Sequence, residues 1–273
     1  MPIVEARPEL VRPHLREFFV HSFDPAGVKE LKLRVIKQLV DATNVQMVLR
    51  ELQAYVAWHS HPDFVALAVQ SIAHVALTIP SVADNCLRGL VKMLDSKCEV
   101  LSCEAVVALR ALLQQRHQSA DSGLGAVLPH LARYLEDLAA PAARASVVWI
   151  IGQYQREAPR LGPDVVRRLA KSFANERQEV KQQILGLALK VWAFHTLNAK
   201  GEFPASGLEA GASGKGGASK QSPVTKEDSA QLLPRLEAIV DHIGNIASYD
   251  ASWDVRDTAR ALKRLRQAAK DGL

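Results

Sequence analysis

Apolar residues recur at three- and four-residue intervals along almost the whole chain, the spacing that paints one face of an α-helix. KELKLRVIKQLV (29–40) puts Leu31, Val35 and Leu39 on one stripe. NVQMVLRELQAYV (44–56) opens with Asn44 as an expected N-cap and carries Val45, Val48, Leu49, Leu52 and Val56. PDFVALAVQSIAHVAL (62–77) begins with Pro62 and Asp63, both favourable in a first helical turn. PSVADNCLRGLVKML (80–94), CEVLSCEAVVALRALLQ (98–114) and GAVLPHLARYLEDL (125–138) follow, with Pro129 expected at the start of the last. PAARASVVWIIGQY (141–154), GPDVVRRLAKSFA (162–174) and QEVKQQILGLALKVWAF (178–194) continue the series. QLLPRLEAIVDHIGNIA (231–247) and WDVRDTARALKRLRQAA (253–269) close it. The pattern predicts roughly eleven helices and no strand, because alternation of period two never persists.

One stretch departs from this pattern. Residues 199–228, AKGEFPASGLEAGASGKGGASKQSPVTKED, are dominated by Gly, Ala, Ser and Lys, and nothing apolar repeats in them. Such a segment buries too little surface to offset its ordering entropy, so it reads as a disordered insertion. The expected organisation is helical repeats over 1–198, the insertion over 199–228, and a last helical hairpin over 229–273.

Short connections between many helices leave a bundle or a solenoid, and an internal register favours the solenoid. LKLRVI from Leu31, ARASVV from Ala143, VKQQIL from Val180 and VRDTAR from Val255 align, each with a basic residue second: Lys32, Arg144, Lys181 and Arg256. Three positions on, Val35, Val147, Ile184 and Ala259 are apolar or small. Helices from Phe64 and Val100 fall between without the basic residue, giving spacings of about 33, 36, 43, 37 and 75 residues. Without the insertion the last shortens to about 45, within reach of the two-helix periods of HEAT and armadillo repeats. The fold class expected is therefore all-α, an α-solenoid of HEAT/armadillo-like hairpins.

This architecture explains PAARASVVWIIGQY. The second helix of a stacked hairpin is covered by its own partner and by neighbouring repeats, so Val147, Val148, Trp149, Ile150 and Ile151 all find apolar surroundings. Arg144, near the helix start, is expected to pack its stem and reach a carbonyl or carboxylate with its guanidinium. Gly152 is expected to admit another helix closely, against a propensity cost of about 1 kcal/mol.

Composition adds little beyond this. The chain has 273 residues, 48% hydrophobic and 5% aromatic, which suits a sizeable aliphatic core of packed helices. A net charge of +5 permits an acidic partner or membrane surface without requiring nucleic acid. Cys86, Cys98 and Cys103 lack metal or redox spacing and read as buried free thiols in a reducing compartment. MPIVEARPEL lacks the layout of a signal peptide, and no apolar run approaches the roughly 18 residues that cross a bilayer.

Candidate chemistry is sparse. His59 and His61 have no third ligand at helical spacing, so a connecting turn is the expected reading. His74 reads as a core histidine. GASGKGGAS (211–219) imitates a phosphate loop but has Gly216 after Lys215 and no preceding strand. Ser222–Pro223 is a common type of phosphorylation dipeptide. Glu51, Glu104 and Asp137 are isolated carboxylates, and no nucleophile–base set stands out. No catalytic, metal-ligating or cofactor-binding residue is assigned, and no cofactor is expected. The last helix carries the strongest charge. Arg256, Arg260, Lys263, Arg264, Arg266 and Lys270 face only Asp257 and Asp271, opposite an apolar face of Val255, Ala259, Leu262, Leu265 and Ala269. Arg256, Arg260, Lys263, Arg264 and Arg266 are therefore the candidate contacts for an anionic lipid or acidic protein surface.

Several segments resemble more than a generic repeat. RPHLREFFVHSFDPAGVKELKLRVIKQLV (12–40), NVQMVLRELQAYV, ADNCLRGLVKML (83–94), PAARASVVWIIGQY and PDVVRRLAKSFANERQEVKQQILGLALKVW (163–192) resemble, in order and spacing, the trunk of beta-adaptins. FFVHSFDP and CLRGLVKML look closest to the beta subunit of adaptor-protein complex three, and WDVRDTARAL (253–262) is similar to the family's YD-x-RDR-type run. The resemblance leaves out only 115–130 and 199–228.

It implies a scaffold subunit of a heterotetrameric vesicle-coat adaptor. Its implied partners are the medium chain and a second large chain. The implied setting is the cytoplasmic face of Golgi and endosomal membranes, bound peripherally, in transport toward lysosome-like organelles. No enzyme activity and no nucleic-acid partner are implied. Family members carry further helical repeats before this region and a hinge and ear after it, so the chain is expected to represent a fragment, an incomplete gene model or a reduced form. Clathrin-box binding and small-GTPase docking, which belong to those parts, are not carried over. Gln153 stands where the family commonly has Glu. The competing reading is another HEAT/armadillo scaffold, such as a nuclear-transport or different coat protein. Armadillo peptide readers repeat Trp and Asn at one repeat position, which Trp58, Trp149, Trp192 and Trp253 do not.

Overall fold

The computed structural model describes residue 4 and residues 6–57, 61–94, 96, 98–115, 127–201 and 225–271. Every regular element among them is helical. Two compact units divide the chain, Met1–Ser119 and Ala120–Leu273.

In the first unit a short helix α1 (Pro8–Val11) and a 3₁₀ segment (Arg12–Phe18) precede α2 (Ala26–Leu39), α3 (Val45–Ala57), α4 (Pro62–Thr78), α5 (Ala83–Leu94) and α6 (Glu99–Gln115). Helix α3 pairs with α4 and α5 pairs with α6, while α4 also packs on α2 and α6. Hairpins therefore stack in chain order through their second helices. That position surrounds α4 and explains why Phe64, Val65, Ala68, Val69, Ile72, Ala73, Val75 and Ala76 are all buried. Tyr55 of α3 is fully buried, and its hydroxyl accepts the Val20 N–H at 2.7 Å. Burial pushes its phenol well above the usual value, with the Val20 N–H pulling the other way.

The second unit repeats the arrangement with α7 (Val127–Tyr134), α8 (Pro141–Gln153), α9 (Leu161–Ser172), α10 (Gln178–Lys200), α11 (Lys226–Ser248) and α12 (Trp253–Lys270). Pairs α7/α8, α9/α10 and α11/α12 form hairpins, and α8, α10 and α12 stack in succession. On α8, Val147, Val148, Ile150 and Ile151 are buried and Trp149 half-buried, as a helix covered from several sides requires. At Gly152 a Cβ would lie 3.3 Å from Leu187 Cδ1 and 3.6 Å from its Cα, so α10 does approach there.

Helix ends differ in detail from the sequence pattern. Asn44 does not cap α3 with its side chain. It turns back, donating to the Leu39 carbonyl at 3.0 Å and accepting the Asp41 N–H at 2.8 Å, so it locks the α2–α3 turn. Pro129 sits inside the first turn of α7 rather than at its start, where its missing N–H costs no helical bond. Helix α11 begins at Lys226, well before the apolar stripe, because Thr225 and Asp228 form a reciprocal capping box. It continues past Pro234, which lies on the exposed side. Helix α10 runs to Lys200 and ends on Gly201, whose φ of 74° is the left-handed conformation that glycine adopts freely. Most of the expected insertion, 202–224, lies outside the described residues.

The stripe on α2 is also rotated from expectation. Leu33, Val35, Ile36 and Leu39 are buried, whereas Leu31 is 51% exposed. Lys29 takes a core-facing place instead, its ammonium 5.5 Å above the Phe64 ring and donating to the Ser22 carbonyl at 3.2 Å. Across the described residues no single helix is long and apolar enough to cross a membrane.

Candidate functional site

Three of the four basic residues of the internal register occupy equivalent places. Arg144, Lys181 and Arg256 are each the fourth residue of their helices, α8, α10 and α12. Arg144 uses two edges. Its Nη1 donates to the Leu135 and Leu138 carbonyls in the turn that follows the preceding helix. Its Nε and Nη2 donate to the Glu176 carboxylate, two residues ahead of α10. Ser172 donates to the same carboxylate at 3.2 Å. Lys181 makes the next rung, 2.6 Å from Asp250, three residues ahead of α12. Its ammonium also lies 5.8 Å above the Phe173 ring. Each rung thus joins the second helix of one hairpin to the turn inside the next. Burial pushes the Asp250 carboxyl up, but hydrogen bonds from Lys181 and the Ser252 N–H, with the charges of Lys181 and Arg256, hold it below its usual value.

Arg256 reproduces half of the Arg144 arrangement. Its Nη1 donates to the Asp250 carbonyl at 2.6 Å and the Ala251 carbonyl at 3.2 Å. Its guanidinium stacks 4.8 Å from the Trp253 ring. In the first unit, Lys32 closes its rung within one layer, reaching the Phe19 carbonyl at 3.1 Å and Asp24 at 2.7 Å. The Lys32 hydrogen bond, with the His21 N–H, lowers the Asp24 carboxyl.

The candidate anionic-surface residues on α12 have separate environments. Arg266 is buried, 2.6 Å from Asp241 and 5.2 Å from the Trp192 ring. It is unavailable to an outside surface. Lys263 donates to Asn245 Oδ1 and Ser248 Oγ, both at 3.0 Å, and keeps an uncancelled charge near the surface. Arg260 is paired in the open with Asp257 at 2.9 Å. Arg264 is exposed, with no described residue as partner. The apolar face is also narrower than expected. Val255 and Ala259 are buried and Leu262 half-buried, but Leu265 is 57% exposed and Ala269 is exposed. The core-facing ladder is 255, 259, 262 and 266, spaced four, three and four. Arg266 occupies its last position because its stem packs on Trp192 while Asp241 takes the charge.

The remaining candidates do not converge. His61 is exposed just ahead of α4, and His59 lies outside the described residues. His74 is exposed rather than in the core. Partial desolvation and the nearby Lys37 charge lower its pKa. Cys86 and Cys103 are buried and Cys98 half-buried, none of the three in a disulfide, with burial pushing Cys86 up to about 11. Glu104 accepts from Gln70 at 3.1 Å. GASGKGGAS and Ser222 lie outside the described residues. Among the described residues no group of three His, Cys, Asp or Glu side chains is placed to hold a metal.

One buried polar cluster had no sequence signal. His195 is fully buried, with Nδ1 3.1 Å from Ser229 Oγ, which also accepts from Asn198 Nδ2 at 2.8 Å. Burial lowers the imidazole pKa, the Pro159 carbonyl opposing it. Trp192 Nε1 donates to Glu237 at 3.3 Å nearby in sequence, so α10 and α11 are tied at several levels.

Residues 1–270 match the family described as the adaptin N-terminal region. The chain is 33% identical over 263 residues to AP-3 complex subunit beta-2 of Mus musculus, covering 96% of this chain and 20% of the relative. It is 30% identical over 298 residues to AP-3 complex subunit beta of Dictyostelium discoideum, covering 96% and 25% respectively. In three dimensions it is similar to a homology model of the full-length AP-3 complex in an intermediate open conformation. There the TM-score is 0.67 and the identity 24%, over 95% of this chain and 40% of that one. The chain thus spans a fifth to a quarter of the length of these two curated relatives.

Proposed function

Because the chain belongs to the adaptin N-terminal-region family, we propose that it is a scaffold subunit of a vesicle-coat adaptor complex, supplying trunk repeats for intracellular protein transport. The observation that carries this reading is the similarity to AP-3 beta subunits along 96% of the chain. Stacked hairpins are suited to the task. Each repeat buries its apolar stripe against its neighbours and leaves side chains of successive layers aligned for a partner. The proposed partners are a medium chain and a second large chain. Membrane association is peripheral, through the complex, at the cytoplasmic face of Golgi and endosomal membranes. The role is non-enzymatic and involves no nucleic acid. The division into repeats over 1–198, an insertion over 199–228 and a last hairpin over 229–273 belongs to this proposal.

The test is affinity isolation of the tagged chain from its native cell, scored by mass spectrometry. Stoichiometric recovery of a medium chain and a second large adaptor chain is the expected result. Recovery of nuclear-transport cargo without adaptor subunits would favour the other scaffold reading and overturn this one.

A further inference from the structure

Helices α10, α11 and α12 meet around a partly enclosed cavity of about 20 Å³, room for one water-sized particle. Its walls are apolar, with Leu189, Ile243 and Leu262 among them, and two cations, Lys263 and Arg266, complete the lining. The helical period brings these residues to one side of each helix, as 262, 263 and 266 on α12 illustrate. Arg266 is only 6% exposed. Asp241 accepts from its Nη1 at 2.6 Å, while its Nε, on the other edge of the guanidinium, meets no acceptor among the described residues. Lys263 uses two of its three N–H bonds on neutral acceptors, Asn245 Oδ1 and Ser248 Oγ, both at 3.0 Å, so its charge stays uncancelled.

We propose that this cavity binds a single halide-sized anion, chloride in the cell, which pins α12 to α10 and α11. The lining decides between an anion and a water. A trapped water brings two hydrogens that need acceptors. Here Asn245 Oδ1 and Ser248 Oγ are already engaged by Lys263, the Ser248 hydroxyl donates to the Gly244 carbonyl at 2.7 Å, and the walls are hydrocarbon. Donors are in surplus: the Arg266 Nε–H and the third N–H of Lys263. A chloride ion accepts from both and has no hydrogen to place. Two cations against one carboxylate, Asp241, leave a positive charge that offsets the cost of dehydrating the ion. Lys270 and Glu237 pair with each other at 3.2 Å and leave that balance unchanged. A cavity this small favours a monatomic ion over phosphate. The proposal stands on the packing of α10, α11 and α12 and not on the adaptor assembly, so either can fail without the other.

The test is thermal unfolding of the full chain at constant ionic strength, with sodium gluconate, whose anion is too large for the cavity, replaced stepwise by sodium chloride. The melting temperature of the parent should climb with the logarithm of chloride concentration, as binding to the folded state requires. Lys263→Met, at an exposed position, should lose most of that climb, and Lys263→Arg should keep it. Arg266→Met removes the orphan donor, leaves Asp241, 57% exposed, to water, and should abolish the climb. If that variant does not fold, the two Lys263 variants decide. General salt effects act on all these proteins alike, so the reading is the difference in slope between parent and variant. Crystals grown in sodium bromide give the direct measurement. An anomalous peak within hydrogen-bonding reach of Arg266 Nε and Lys263 Nζ is the expected result. Equal slopes in the parent and Lys263→Met overturn the proposal, as does an ordered water where bromide should lie. A bromide peak without chloride-linked stabilisation marks an adventitious ion only, with the same consequence. Formate acting as steeply as chloride assigns the cavity to carboxylates and overturns the choice of a halide.

Discussion

Arg144 and Glu176 stand 32 positions apart in the chain, yet the guanidinium of one forks onto the carboxylate of the other. Both side chains are largely withdrawn from water, 16% and 10% exposed. Removing one partner strands the other. Arg144→Ala is expected to cost about 3 kcal/mol, because the Leu135 and Leu138 carbonyls also lose their donor. Arg144→Ala combined with Glu176→Gln should cost less than the sum of the single changes. Urea unfolding of the four proteins of this cycle measures the coupling.

The Lys181–Asp250 rung makes stability acid-sensitive. The Asp250 carboxyl has its pKa lowered in the folded state, so the unfolded chain binds its proton first as pH falls. The stabilisation is complete above the unfolded value, near pH 4, and is lost as pH drops through the lower folded value. Asp250→Asn should therefore unfold more readily than the parent at pH 7, by about 2 kcal/mol, and lose part of the parent's decline below pH 4. Thermal melts between pH 7 and pH 3 supply the comparison.

Gly152 is a packing glycine whose neighbours set its tolerance. Gly152→Ala meets Leu187 Cδ1 at 3.3 Å, the end of a side chain that can yield, while helix propensity gains about 1 kcal/mol. The two nearly cancel, and the midpoint of urea unfolding should move little. Gly152→Val adds a whole isopropyl group against Leu187 and should lose about 1–3 kcal/mol. A stabilised valine variant would show that α8 and α10 are not in close contact there.

In the first unit, Tyr55→Phe removes the acceptor of the Val20 N–H while keeping the ring. The expected loss is about 1–3 kcal/mol, the cost of leaving a buried amide unmade. Hydrogen exchange at the Val20 amide should quicken in parallel, and unaltered protection there would contradict the assignment.

Much of this architecture was legible because stacked hairpins impose a helical period on nearly every segment. The stripe at Val45, Val48, Leu49, Leu52 and Val56 is buried as its spacing demands. The dense run after Arg144 is buried for the reason its composition implies, and Arg144 reaches both of the acceptor types its position allows. What escaped was the role of long cations in the core. Lys29 and Arg266 count as polar in any pattern, yet their stems pack and their charges are met by Phe64 and a carbonyl, or by Asp241 and Trp192. Leu31 and Leu265 fall outside the resulting buried ladders and are exposed. The His195–Ser229 bond was equally hidden, since it joins residues 34 positions apart with no shared motif. The acids of the ladder, Glu176 and Asp250, sit in turns outside the helical register, where periodicity is silent.

The knot of His195, Asn198 and Ser229, with Trp192 and Glu237 one turn or two away, joins what lies on either side of residues 202–224. Covalent continuity there is accordingly redundant with the contacts that flank it. A chain severed anywhere between Gly201 and Thr225 would still travel as one particle, its two fragments clasped by that knot together with the Lys181–Asp250 and Arg266–Trp192 contacts.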